Sequence, residues 1–166
     1  MNINQNTLNE IQGLLIFGIS NKEFCTDIKN LKTVIKIAET KFKDEFKDEV
    51  YFDDRLFKII DIQKMLKIRL EELTTNTRII LFETFGKMFG FFVDRIIEII
   101  TTDTIFKQQY LDMIPSSKED YISGELIIEK RKILMLDFEK ISKELAILKK
   151  VNLGLKHYVS NTFFSD

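Results

Sequence analysis

No apolar run in this chain is long. Stretches such as IILF, from Ile79, and MFGFFV, from Met88, fall far short of the ~20 apolar residues that span a bilayer as a helix. They are rich in β-branched and aromatic residues and are separated by polar turn signals, which is the pattern of short strands. The chain has only one proline and six glycines in 166 residues. No Pro/Gly/Ser linker and no repeat divides it, so the period of the apolar residues must do the dissection.

Gln12 to Ile19, QGLLIFGI, predicts a strand that ends at the polar turn SNKE, and EFCTDI returns as its hairpin partner. LKTVIKIA, Leu31 to Ala38, is β-branched and predicts a third strand. ETKFKDEFKDE carries mixed charge without a period and is expected to be a loop. RLFKIID predicts a strand, after which Asp61 can cap a short helix, IQKML, by accepting from its free N–H groups. RIILFETF and MFGFFVD pair across a turn at Gly86 and Lys87, and Gly90 marks a bulge or a close backbone approach. RIIEII fits a helix face by spacing, but its length and branching favour a strand. YISGELIIEK and RKILMLDF predict a hairpin turning near Glu129 and Lys130.

The period then changes. Phe138, Ile141, Leu145 and Leu148 recur at steps of three and four, which predicts an amphipathic helix. Gly154 is placed to end it. About nine short strands and two or three helices point to a mostly antiparallel architecture of small barrels or a sandwich. The segment EELTTNT separates two groups of strands. Two subdomains are therefore expected, near 12–75 and 76–137, with the C-terminal helix packing nearby.

Charge and titratable residues exclude more than they suggest. With 25 bases against 26 acids the net charge is -1, so no global basic field draws nucleic acid or a membrane surface. The first residues, MNINQNTLNE, lack a basic start followed by an apolar core. A cytoplasmic protein is expected. Cys25 is the only cysteine and His157 the only histidine. Neither has a partner at metal-ligand spacing, and Cys25 reads as a small buried hydrophobe. Without a histidine base, a serine or cysteine nucleophile has no ordinary proton acceptor. No enzyme activity and no cofactor are expected.

Two acidic features leave alternatives. Asp61, Asp94 and Asp137 each follow an apolar strand. They could converge on a cation, or each could start a turn or cap a helix. The adjacent Asp53 and Asp54 could be a catalytic pair, half a metal site or a turn. Neighbours on a strand point to opposite faces, and Asp tolerates left-handed backbone, so a turn is the simpler home. The 15 phenylalanines raise the question of a ligand pocket. In MFGFFVD, Phe89 and Phe91 share one face while Met88 and Phe92 share the other. That strand is either buried twice or half of it meets a partner. Lys140, Lys143, Lys149 and Lys150 stand against Glu139 and Glu144 in the predicted helix. So few and mixed charges read as a solvated face.

The order of these motifs resembles the CheW family, adaptors of bacterial chemosensory arrays. The resemblance runs from about Gly13 to Leu148 and is most specific from Thr77 to Ser142, in TRIILFETFGKMFGFFVDRIIEII and YISGELIIEKRKILMLDFEKIS. It implies a mostly β fold of two small five-stranded SH3-like β-barrels that share a core, with short helices and a C-terminal helix. It implies a non-enzymatic cytoplasmic scaffold at receptor arrays, whose partners are the regulatory domain of a CheA-type histidine kinase and a chemoreceptor tip. By matched position, Leu31 and Thr33 fall on the family's receptor groove, and Met113, expected in the loop FKQQYLDMIP, on a kinase contact. The family's Asn-Leu-Arg-Gly turn reads Tyr51, Phe52, Asp53, Asp54 here. The competing reading of the residues is a small-ligand-binding β-barrel or an accessory CheW-like protein with an altered partner. Elemental analysis of chelator-free protein should find no stoichiometric transition metal. A metal at one per chain, lost together with the fold, would overturn the cofactor-free reading.

Overall fold

The structure, a computed structural model, describes residues 11–69, 72–84, 86–101, 112–115 and 121–145. Among them lie twelve strands. They are β1 Gly13–Ile19, β2 Lys22–Asp27, β3 Leu31–Lys36, β4 Lys41–Phe42, β5 Glu49–Phe52, β6 Arg55–Ile59, β7 Arg78–Thr84, β8 Lys87–Val93, β9 Arg95–Thr101, β10 Asp112–Pro115, β11 Ile122–Ile128 and β12 Arg131–Leu136. Helix α1 spans Ile62–Met65, and helix α2 is described over 138–145. Single 3-10 turns follow β2 and β3.

The strands form two six-stranded sheets, ordered β10-β11-β12-β2-β1-β9 and β3-β7-β8-β6-β5-β4. In each, the two end strands are consecutive in sequence. β3 passes to β4 through the 3-10 turn Ile37–Glu39, and β9 precedes β10. Both sheets therefore curl, and the chain is mostly β with two SH3-like barrels. The strand count is six in each where five were expected, counting the two-residue β4 and the four-residue β10.

The sheets do not divide at the expected boundary near residues 75 and 76. β7 and β8 belong with β3 to β6, while β1 and β2 pair with β9 and β12. The reason lies in β1. All seven of its residues are buried, so it needs strands on both edges and packing on both faces. A local hairpin with β2 supplies one edge, and only a distant strand, β9, supplies the other.

Alternation then builds three cores. Ile79 and Leu81 of β7 point into one barrel with Val50, Phe57 and Ile59. Leu14 and Ile16 of β1 point into the other with Cys25, Leu126 and Ile133. The opposite faces of the same strands meet between the barrels, where Leu15, Phe17, Ile80, Phe82, Phe89, Phe91 and Leu134 form a central core. The strand MFGFFVD is thus buried twice. Phe89 and Phe91 face the central core, and Met88 and Phe92 pack on the barrel interior.

Helix α2 seals the central core from one side. Ile141 is fully buried within it, and the Phe138 ring lies 4.4 Å from Phe82, 5.8 Å from Phe89 and 5.9 Å from Phe91. Asp137 caps the helix, its Oδ1 accepting from the Lys140 N–H at 3.1 Å. Leu148, Lys149, Lys150, Gly154 and His157 lie outside the described residues.

Several local expectations hold. Asp61 accepts from the Lys64 N–H at 2.9 Å and starts α1. Gly90 is a close approach: a Cβ there would sit 2.5 Å from Leu81 Cδ2 and 3.0 Å from the Ile80 carbonyl oxygen. Glu129 and Lys130 make the β11–β12 turn with φ of 49° and 67°, the left-handed pair that matches the twist of a hairpin. RIIEII is strand. ETKFKDEFKDE, expected as a loop, contains β4 and the first residue of β5. Its period is too weak to show, but Phe42 pairs with Val50 and packs against Phe92 at 6.3 Å.

Leu136, 5% exposed, closes the central core. Leu136→Ala should cost roughly 2–5 kcal/mol through the cavity it leaves. A loss under about 1 kcal/mol in urea melts would remove Leu136 from the set of well-packed core residues.

Candidate functional site

The pair Asp53–Asp54 is the turn of the β5–β6 hairpin. Both residues are left-handed, with φ of 48° and 58°, and Phe52 pairs with Arg55 directly before and after them. A two-residue turn with both φ positive twists in the same sense as its strands. Both carboxylates are exposed at the tip. Of the three roles open to this pair, the turn is the one its backbone adopts.

The residues around the turn have distinct placements. Tyr51 points outward from β5 and is exposed, level with Lys41 on one side and Leu56 on the other. Phe52 points inward and packs edge-on against Phe57, centroids 6.5 Å apart at 71°. Arg55 reaches across the end of the barrel to Glu83, Nη1 to Oε2 at 3.2 Å. The same Glu83 oxygen receives Lys32 Nζ from β3 at 2.9 Å. Lys32 stands between Leu31 and Thr33, which pair with Phe82 and Leu81 of β7 across a register shift. Glu83 therefore ties the neighbourhood of Leu31 and Thr33 to that of the 51–54 turn at one end of one barrel.

Met113 lies elsewhere. It sits on β10, opposite Leu126, at the edge of the other sheet. The expected loop is strand at that point because Asp112 to Pro115 find a partner in β11. Lys32, Arg55 and Glu83 were not singled out from the sequence. Nothing in the linear order marks them, since each is an ordinary charged residue on a strand and their meeting depends on sheet order.

Electrostatics at this end is simple. The two cations hold the Glu83 carboxyl below its ordinary range, Lys32 and then Arg55 by hydrogen bonding, against a smaller opposing effect of desolvation. Elsewhere the acids serve the backbone. Asp61 and Asp137 cap helices, and Asp94 accepts from the Ser20 N–H at the corner between β8 and β9. The three acids after apolar strands do not converge on a cation. Among the described residues no group of three His, Cys, Asp or Glu could hold a metal ion. Burial pushes the Cys25 thiol up and keeps it un-ionised. Among the described residues, Phe17, Phe24, Phe82, Phe89, Phe91 and Phe138 fill the central core ring against ring. A cavity of about 300 Å³ lies instead beside the N-terminus of α2, between the sheets, with Thr26, Ser123 and Met135 on one side and Thr84 on the other.

Two curled sheets that share one core define a double-barrel β protein. The profile of the family described as the CheW-like domain matches residues 13–146. The chain belongs to that family. Its fold is similar to that of the scaffolding protein TtCheW from Thermoanaerobacter tengcongensis, with a TM-score of 0.61 and 18% identity over 76% of this chain and 88% of that one. Among curated proteins none matches the sequence. No helix among the described residues is long and apolar enough to cross a membrane.

Glu83 has a lowered folded-state pKa, so its contribution to stability is present above its unfolded value and is lost as pH falls through the folded one. Glu83→Gln should therefore lower the melting temperature at neutral pH and leave it closer to wild type in acid. An equal deficit at both pH values would show that shape, not charge, matters at this position.

Proposed function

We propose that the chain is a non-enzymatic chemosensory scaffold that couples chemoreceptors to a CheA-type histidine kinase in the cytoplasm, at receptor arrays. The observation that carries this reading is membership of the CheW-like domain family over residues 13–146. The double barrel suits it physically. A shared core holds two separately exposed surfaces in one rigid relation, which is what an adaptor between two partners requires. The receptor's helical tip would meet the groove beside Leu31 and Thr33, with the 51–54 turn at its end. The kinase's regulatory domain would meet the edge of the other sheet, near Met113. Strand edges and grooves with polar rims are common docking surfaces.

The rival reading, a small-ligand-binding barrel, would need space among the phenylalanines. Their rings pack 4.4 to 6.1 Å apart in the central core, which favours the scaffold. The excess of a kinase regulatory domain should shift the chain's elution from a sizing column. No shift, with a small molecule retained through purification, would favour the rival.

Asp53 stands at the position of the family's arginine, so the charge presented there is reversed. A partner that meets this turn should therefore offer a basic group. Asp53→Arg should weaken binding to the chain's own partner, most strongly at low salt, where charge is least screened. Unchanged affinity at both low and high salt would reduce the turn to a structural role.

A further inference from the structure

The cavity of about 300 Å³ beside the N-terminus of α2 has apolar walls, supplied by Ile11, Met135, Leu136 and Phe138. A cavity of ~150 Å³ accepts benzene, so this one has room for a benzyl group. Its polar lining holds a hydroxyl with no partner. Thr84 shares one face of β7 with Ile80 and Phe82, which lie in the core between the sheets. Its side chain therefore points into the space where the cavity lies. Thr84 is only 7% exposed, and among the described residues its hydroxyl makes no hydrogen bond. Thr26 faces the same space from β2 on the side of Phe24, but its hydroxyl donates to the Asp27 carbonyl oxygen at 3.4 Å. A buried hydroxyl without a partner is costly, and native structures complete nearly all of them.

The charge of the lining is one-sided. Three carboxylates, Asp27, Asp137 and Glu139, border the cavity against one ammonium, Lys29. Lys29 lies 4.0 Å from Asp27, and Glu139 is held by Lys143 at 2.7 Å. Asp137 has no ion pair among the described residues. Its Oδ1 is spent on capping α2 through the Lys140 N–H, and its Oδ2 makes no hydrogen bond among them. An anion is repelled by such a lining, and a water molecule answers the hydroxyl but not the charge. A group that donates hydrogen bonds and carries positive charge answers both, while the apolar walls take the stem that bears it.

We propose that the cavity between the sheets binds a small organic cation, an ammonium or amidinium group on an apolar stem. The charged group is held by the carboxylate of Asp137 and the hydroxyl of Thr84, and the stem lies against Met135, Leu136 and Phe138.

NMR titration of the full chain tests this with probes of one shape and different charge. Benzylammonium is the cation, benzyl alcohol is neutral and benzoate is the anion. Benzylammonium should shift the amide resonances of Thr84, Ser123 and Asp137 saturably, with a Kd on the order of 1 mM. Benzyl alcohol should bind at least about tenfold more weakly, for want of charge-assisted bonds, and benzoate should leave these resonances in place. Asp137→Asn keeps a good helix cap and removes the charge. It should weaken benzylammonium about tenfold and bring it level with the alcohol. Thr84→Val keeps the shape and removes the hydroxyl, and should weaken benzylammonium about threefold or more. Melting curves confirm folding, and the probes on the wild type decide the matter should a variant fail to fold. The proposal is overturned if benzylammonium gives no saturable shift up to about 20 mM. It is equally overturned if benzyl alcohol or benzoate binds as tightly as benzylammonium, or if either folded variant binds benzylammonium like wild type.

Discussion

The structure depends on strands that are buried on both faces. β1, β7, β8 and β12 each send alternate side chains into a barrel and into the core between the barrels. Such a strand cannot sit at the surface of a single barrel without exposing half of its apolar residues to water, at about 25 cal/mol per Å² of apolar area. The second barrel covers that half. Each barrel therefore completes the other, and their relative position is set by packing on the rings of Phe17, Phe82, Phe91 and Phe138. This shared core is a more rigid joint than a linker would be.

The open ends of the barrels are handled by charge. Glu83 joins Lys32 and Arg55 at one. At the other, Arg131 of β12 joins Glu23 of β2 and Glu98 of β9. The registers put these residues on the inward faces: Glu23 pairs with Ile133, and Glu98 pairs with Ile16, both barrel-core residues. These groups are partly solvated, so each pair contributes little to stability on its own. They satisfy one another where an isolated inward charge would be costly, and they link strands that are not neighbours in sequence.

The connections show the same economy. The chain crosses from one sheet to the other at Asp94, between β8 and β9. There the Asp94 carboxylate accepts from the Ser20 N–H, the Asp94 N–H donates to the Gly18 carbonyl oxygen at 2.9 Å, and Arg95 Nη1 donates to the Ser20 carbonyl oxygen at 3.1 Å. Ser20 is itself left-handed, with φ of 54°, an unfavourable backbone for a residue with a Cβ. Both of its backbone polar groups are held by the corner, which keeps it there and fastens the first hairpin to the inter-sheet crossing.

By itself the sequence determined the local pieces. Alternation located β1, β6, β7, β8, β11 and β12; Asp61 marked the start of α1; the change of period at Phe138 marked α2; Asp53–Asp54 declared a turn. These follow from propensity, capping and periodicity, which act over a few residues. The order of motifs also carried the family, and with it the two barrels. Tertiary structure decided which strands share a sheet. A run buried on both faces looks the same in sequence whichever strand lies beside it, so β1 and β2 could not be assigned to β9 and β12, nor β7 and β8 to β3. It decided that Lys41–Phe42 and Asp112–Pro115 are strands, because short segments with weak patterns become extended only when a partner's backbone is already in place. It also decided that Lys32, Arg55 and Glu83 meet, since charge attraction over a few ångströms depends on the fold that brings distant residues together.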